Sequence, residues 1–209
     1  MERLCKKDIL SILYTIRKIM EDNKEFLIQL DSTMGDGDLG LTMTKAFIAA
    51  DEELKKSEES DIGKLLMKAG TTIAKAAPST MGTLVATGFM RGGKALSGKE
   101  NLTTSDLADF FQAFVNGVME RGKAKPGEKT IIDALKPAAD ALSAAILKTP
   151  REALSDALAA AEKGLEATKN MIARHGRIAY YQEQAKGKQD PGATAGVFIV
   201  KGFYEGGDR

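Results

Sequence analysis

A chain of 209 residues with a net charge of +1, 43% hydrophobic and 28% charged, suits one globular domain with a full core. Its balanced charge argues against nucleic acid or an anionic membrane as partner. One cysteine, Cys5, excludes an intrachain disulfide and fits the cytoplasm; no run of about eighteen apolar residues spans a membrane, and Met1–Lys7 lacks a signal peptide's apolar stretch.

Ile9, Ile12, Leu13, Ile16, Ile19 and Met20 recur at the helical period and predict a first helix over about 6–30. The loop Leu30–Gly40 follows, and a second helix is expected over about 41–56, ending in the charged run Asp51–Glu59. Ser60-Asp61 opens a third helix with Ile62, Leu65, Leu66, Ala69 and Ile73 on one face. It stops at Ala77-Pro78, because the residue before proline avoids the helical region. Pro78–Thr83 leads into a segment of small residues, Leu84–Leu96. Thr103 caps a fifth helix, with Asp106 in the capping-box position and a stripe of Leu107, Phe110, Phe111, Phe114, Val115 and Val118 that belongs to a core.

A second loop, Gly122–Thr130, precedes a sixth helix bearing Ile131, Leu135, Ala138, Ala139, Leu142 and Ile146. Thr149-Pro150-Arg151-Glu152 combines a cap, proline at the first helical position and Glu at the third. It starts a seventh helix expected to end near His175-Gly176. A third loop, Gly176–Gly192, precedes a last helix over Ala193–Tyr204. No strand pattern is evident. The fold class is all-α: a single domain over 1–209 of seven or eight helices, whose short connections make sequential neighbours antiparallel in an up-and-down bundle.

The loop Leu30–Gly40 holds Asp31, Asp36 and Asp38 together with Gly35, Gly37 and Gly40. On a continuous helix Asp31 and Asp36 would diverge by ~140°, and Asp31 and Asp38 would lie ~10 Å apart along the axis. A glycine-rich loop can gather all three, because glycine opens backbone angles that other residues avoid. Clustered carboxylates raise one another's pKa unless a cation sits among them, and oxygen-only ligands suit Mg2+ or Ca2+. The bland alternative is a solvated Asp-Gly turn. An EF-hand is excluded, since counting from Asp36 places Gly40 and Leu41 at positions five and six.

Loops that follow odd-numbered helices share one end of an up-and-down bundle. The Asp loop, Pro78-Ser79-Thr80, Gly127-Glu128-Lys129-Thr130 and Gln189-Asp190-Pro191-Gly192 all meet that condition. Ser79, Thr80, Gly82 and Thr130 sit at helix starts, where free N–H groups bind phosphate. Taken alone, Ser79 and Thr80 are ordinary caps and Lys129-Thr130 a surface cap. No Walker loop occurs. His175, the single histidine, reads as structural or solvated near a helix C-terminus.

Four motifs in order carry a resemblance: Leu30-Asp31 through Gly35-Asp36-Gly37-Asp38-Leu39-Gly40; Ser79-Thr80-Met81-Gly82-Thr83 with Gly88; Gly127–Ala138; and Gly176-Arg177 with Gln189–Thr194. Through them the chain resembles, over nearly its full length, the nucleotide-binding L subunit of bacterial dihydroxyacetone kinases, the DhaL family. The resemblance implies an eight-helix barrel with ADP or ATP at one end. It assigns two Mg2+ ions to Asp31, Asp36 and Asp38, and phosphate oxygens to Ser79 and Thr80, with Gly82 and Thr83 in the same turn. Lys129 and Thr130 match its Lys-Thr helix start, with Lys129 as a catalytic charge clamp. Asp190, Pro191 and Gly192 match a loop that closes over base and ribose, and Arg177 matches an arginine near the nucleotide. Two departures stand out: Leu39 replaces a frequent histidine, and the second motif is poorer in Gly and Ser.

The function implied is that of an ADP-binding phosphotransferase subunit. Mg-bound nucleotide, held as a coenzyme, would pass a phosphoryl group from a phosphohistidine M subunit to dihydroxyacetone on a separate K subunit. One alternative is an ATP-dependent kinase subunit for another short ketose such as erythrulose. A different class is a nucleotide-loaded protein that binds a transcription regulator, and a homodimer is left open.

Overall fold

The computed structural model describes residues 3–207. In chain order these form β1 (Leu4–Cys5), α1 (Lys6–Asp22), α2 (Lys24–Ser32), α3 (Leu39–Lys55), α4 (Ile62–Ala76), α5 (Thr80–Ala95), β2 (Asn101–Leu102), α6 (Thr104–Gly122), α7 (Ile132–Ala144), α8 (Pro150–Ala167) and α9 (Pro191–Gly206). Short 3-10 turns cover Thr168–Asn170 and Arg177–Ala185.

The helices pack in sequence. From α3 to α9 each lies against the next, α1 lies against α3, and α9 returns to α1. The result is a closed antiparallel ring with α2 as a spur between α1 and the Asp loop. Local chemistry sets the boundaries. Asp61, Ser79, Thr103, Thr149 and Asp190 each accept a backbone N–H from the first turn of the helix they precede. Thr103 and Thr149 form full capping boxes, and Pro150 and Pro191 occupy starts where no N–H is needed.

The ring's interior is filled by phenylalanine. Phe47, Phe89, Phe110, Phe111, Phe114 and Phe203 are at most 1% exposed, and their ring centroids lie 5.0–6.0 Å apart along a path from α3 through α5 and α6 to α9. Most of these pairs are edge-on, the arrangement the ring quadrupole favours. Small residues bring the walls together. A Cβ at Gly63 would lie 2.6 Å from the Gly93 carbonyl oxygen, and a Cβ at Gly93 equally close to that of Gly63, so α4 and α5 touch backbone to backbone.

Several expectations change. The first helix breaks at Asn23, whose backbone leaves the helical region while its side-chain amide donates to the Ile19 carbonyl at 2.8 Å. The helix after Pro78 begins at Thr80, directly behind its Ser79 cap as expected, and takes in the small-residue segment up to Ala95. The seventh expected helix ends at Ala167, well short of His175. A two-residue antiparallel pair, Leu4–Cys5 with Asn101–Leu102, ties the start of the chain to the α5–α6 connection; two residues are too few for an alternating pattern to show. No helix among the described residues is long and apolar enough to cross a membrane.

Phe110 touches four other rings, so Phe110→Ala removes the hub of the interior. Urea unfolding is expected to show a loss of ~3–5 kcal/mol. Phe26→Ala, at a side chain 45% exposed, is expected to cost under ~1 kcal/mol.

Candidate active site

In a closed antiparallel ring alternate helices begin at the same rim. Here α3, α5, α7 and α9 do so, and residues at all four starts line one cleft of ≈ 290 Å³. Such a rim carries four partial positive charges from helix ends. The Asp loop faces them. Asp31 lies in the last turn of α2; its carbonyl accepts from the Gly35 amide at 2.6 Å and its carboxylate from the Leu39 amide at 3.3 Å. Gly37, at φ 72, reverses the chain where an L side chain would be strained.

This fold-back gathers what a helix would separate. Asp31, Asp36 and Asp38 each offer a carboxylate oxygen, all within 4.8 Å of one another. Asp38 precedes α3 but makes no capping bond, so its carboxylate stays available. Burial pushes its pKa up, as do the neighbouring Asp36 and Asp31, with Arg177 opposing. Arg177 pairs with Asp36 at 2.9 Å and supplies part of the countercharge. The donor set fits Mg2+: all oxygen, partly solvated, and only slightly wider than the ~4.2 Å between opposite ligands of an octahedral ion with bonds of ~2.1 Å.

Eleven of the expected residues line the cleft: Asp31, Asp36, Asp38, Ser79, Thr80, Lys129, Thr130, Arg177, Asp190, Pro191 and Gly192. Gly82 and Thr83 do not. The Gly82 amide donates to Ser79 Oγ at 3.0 Å and the Thr83 amide to the Ser79 carbonyl at 2.9 Å, so both belong to the cap behind the cleft. At the α7 start Asp133 organises the turn: its carboxylate accepts from the amides of Gly127 and Thr130 at 2.5 and 2.7 Å. Asp190 is 4% exposed and accepts from the Ala193 amide at 2.7 Å, capping α9. Burial pushes the Asp190 pKa up to about 7, against the lowering effect of that amide and of Lys129.

Lys129 lines the cleft, yet its ammonium is engaged elsewhere. It donates to the carbonyls of Thr168 and Lys188 at 2.6 and 2.5 Å, and burial lowers its pKa. His175 also lines the cleft, although its place in the sequence gives it only a structural or solvated role near a helix C-terminus; its Nε2 sits 2.7 Å from Glu128 Oε2. The early end of α8 at Ala167 is what frees it to reach there. Met34, Met81, Leu84, Ile131 and Ile178 complete an apolar side that suits a planar base. Met34 and Met81 lie inside the Asp and Ser-Thr motifs, and that position was their only signal in the sequence.

A closed all-α barrel with three convergent carboxylates opposite helix N-termini defines a class of domain built to hold a metal–anion complex in its end loops. The DAK2 domain matches residues 33–205, and the chain belongs to that family. It is 35% identical over 201 residues, 95% of either chain, to the ADP-binding subunit DhaL of the PEP-dependent dihydroxyacetone kinase of Escherichia coli (strain K12). It is 29% identical over 205 residues to the L-erythrulose 1-kinase of Mycolicibacterium smegmatis, covering 97% of this chain and 36% of that one. Among solved structures it is similar to the dihydroxyacetone kinase from C. freundii in complex with AMP-PNP and Mg2+. The TM-score is 0.72 at 25% identity, over 94% of this chain and 33% of that chain.

The raised Asp190 pKa makes the stability of the fold depend on pH. The folded state holds this proton more tightly than the unfolded chain, whose carboxyl titrates near 3.8. The stability it contributes is complete below that value and is lost as pH rises through about 7. Asp190→Asn keeps a capping oxygen and removes the titration. Between pH 4 and 7, nucleotide-free wild type is expected to lose stability relative to Asp190→Asn by up to ~1.4 kcal/mol per unit, read by denaturant unfolding across pH.

Proposed function

We propose that this chain is the ADP-binding phosphotransferase subunit of a PEP-dependent dihydroxyacetone kinase, acting as one domain over 1–209. The observation that carries the reading is the cleft itself: three carboxylate oxygens within 4.8 Å on one wall, the starts of α5 and α7 on another. Asp31, Asp36 and Asp38 would hold Mg2+, two ions by resemblance, and the metal supplies charge neutralisation to the phosphates. The N-terminal turns at Ser79-Thr80 and Thr130 present N–H groups and hydroxyls to phosphate oxygens. Met34, Met81 and Ile131 offer a dry face for the base, with Asp190, Pro191 and Gly192 at its edge. Arg177, 69% exposed and already paired with Asp36, would face the charge that develops on a transferred phosphoryl group.

Phosphoryl transfer needs mainly positioning and charge neutralisation, and the chain offers both. The likeness, over 95% of either chain, to a protein named as one subunit of such a kinase supports a separate K subunit as acceptor and an M subunit phosphohistidine as donor. The cytoplasm is the compartment such partners imply. The second reading, a nucleotide-loaded partner of a transcription regulator, is favoured by Leu39. That side chain is 5% exposed, lines the cleft and carries no proton to transfer. The likeness to an L-erythrulose 1-kinase keeps a different short ketose as the alternative acceptor.

With ADP and Mg2+ each about 100-fold above the dissociation constant, the wild type is expected to gain ~2.7 kcal/mol, or several degrees in melting temperature. Asp36→Ala is expected to lose that gain. Transfer from PEP to dihydroxyacetone, reconstituted with K and M subunits, separates the readings: tight ADP binding without transfer to any short ketose supports the regulatory one. A wild type that gains no stability from ADP or ATP with Mg2+ contradicts both.

A further inference from the structure

Lys129 is a buried lysine in an unusual backbone state. It is 1% exposed and stands at φ 60, in the left-handed region that non-glycine residues occupy only when their surroundings compel it. Its neighbour Glu128 is partly exposed and meets His175, while the Lys129 ammonium is enclosed. The Thr168 and Lys188 carbonyls that receive it flank the 169–187 segment, one at each foot. The same feet are joined by the Gly187 amide on the Lys169 carbonyl at 2.8 Å and the Asp190 amide on Thr168 Oγ1 at 3.0 Å. From this segment hang His175 and Arg177, the groups it brings to the cleft beside Glu128 and Asp36.

Little apolar burial holds the segment. Tyr180 is 90% exposed, residues 181–184 and 186–188 are exposed, and Ala173 and Ala185 are its buried hydrophobics. Its position therefore depends on polar ties, and such segments open locally at low free-energy cost. At the feet the ammonium is the charged tie, and bonds from a charged donor are about twice as strong as neutral ones. It also faces the carboxylates of Asp190 and Asp133, both held by backbone amides, and offsets their buried charge.

We propose that Lys129 is a positioning residue that clasps both feet of the 169–187 segment and so sets Arg177 against the Asp loop, and that it is not a charge clamp on phosphate. This deepens the nucleotide reading above and rests on it for the affinity measurement alone. A lysine aimed at phosphate would keep its ammonium toward the cleft; here two backbone carbonyls already take it at 2.5–2.6 Å.

The test compares nucleotide-free wild type with Lys129→Met by hydrogen exchange and mass spectrometry, then measures binding of Mg·ADP and of Mn2+ alone. The clasp predicts exchange at least tenfold faster in peptides covering 171–189, with α5 and α6 unchanged. It also predicts Mg·ADP binding at least tenfold weaker and Mn2+ binding no weaker than in wild type. Unchanged exchange in 171–189 with weakened Mg·ADP would mean that Lys129 touches phosphate and overturns the proposal. So would faster exchange spread evenly over the barrel. If Lys129→Met does not fold, Lys129→Gly, which suits the left-handed backbone, is read in the same way. Wild type that binds no Mg·ADP would sink the function while the exchange comparison still judges the clasp.

Discussion

Closing eight helices into an antiparallel ring obliges alternate helices to begin at one rim, and the chemistry of this protein follows from that. Each helix start leaves N–H groups without intrahelical partners. Four starts at one rim make a surface that favours anions before any side chain is considered. The ring closes because its interior is dry and well packed: six phenylalanines meet across it, and glycines such as Gly63 and Gly93 let neighbouring backbones touch. The site is thus mounted on the ends of rigid elements whose stability comes from a core remote from it.

Against this positive rim the chain places three carboxylates that repel one another. Asp38 shows the conflict directly, since burial and its two neighbours both work against its charge. A hard cation relieves the carboxylate cluster, and a polyanion fills the helix N-termini across the cleft. The cation suits the aspartates, the anion suits the helix starts, and a metal–nucleotide complex satisfies both. Arg177 on Asp36 is the partial relief available from the protein itself.

Much of this was legible in the sequence because it rests on local rules. Pro78 ends α4, Thr103 and Thr149 open α6 and α8, and the helical period of the apolar residues gives the ring its members. The spacing of Asp31, Asp36 and Asp38 already excluded a helix, so a gathered loop was the remaining way to use them. The parts that were not legible depend on contacts distant in sequence. The break at Asn23 and the pairing of Leu4–Cys5 with Asn101–Leu102 leave no periodic trace. The 168–190 stretch has no hydrophobic pattern either, since its order comes from Lys129, Asp190 and Thr168 meeting behind the cleft. For the same reason the sequence alone gives His175 no role at the site and turns Lys129 toward it.

Carboxylates and helix starts on facing walls require the rim to hold a metal–nucleotide complex. The most direct measurement is to purify the protein without added nucleotide, denature it, and analyse the released material by nucleotide chromatography and metal analysis. ADP near one equivalent per chain, together with Mg2+, is the expected result. A protein that emerges empty, and that takes up neither ADP nor ATP when supplied with Mg2+, would contradict it.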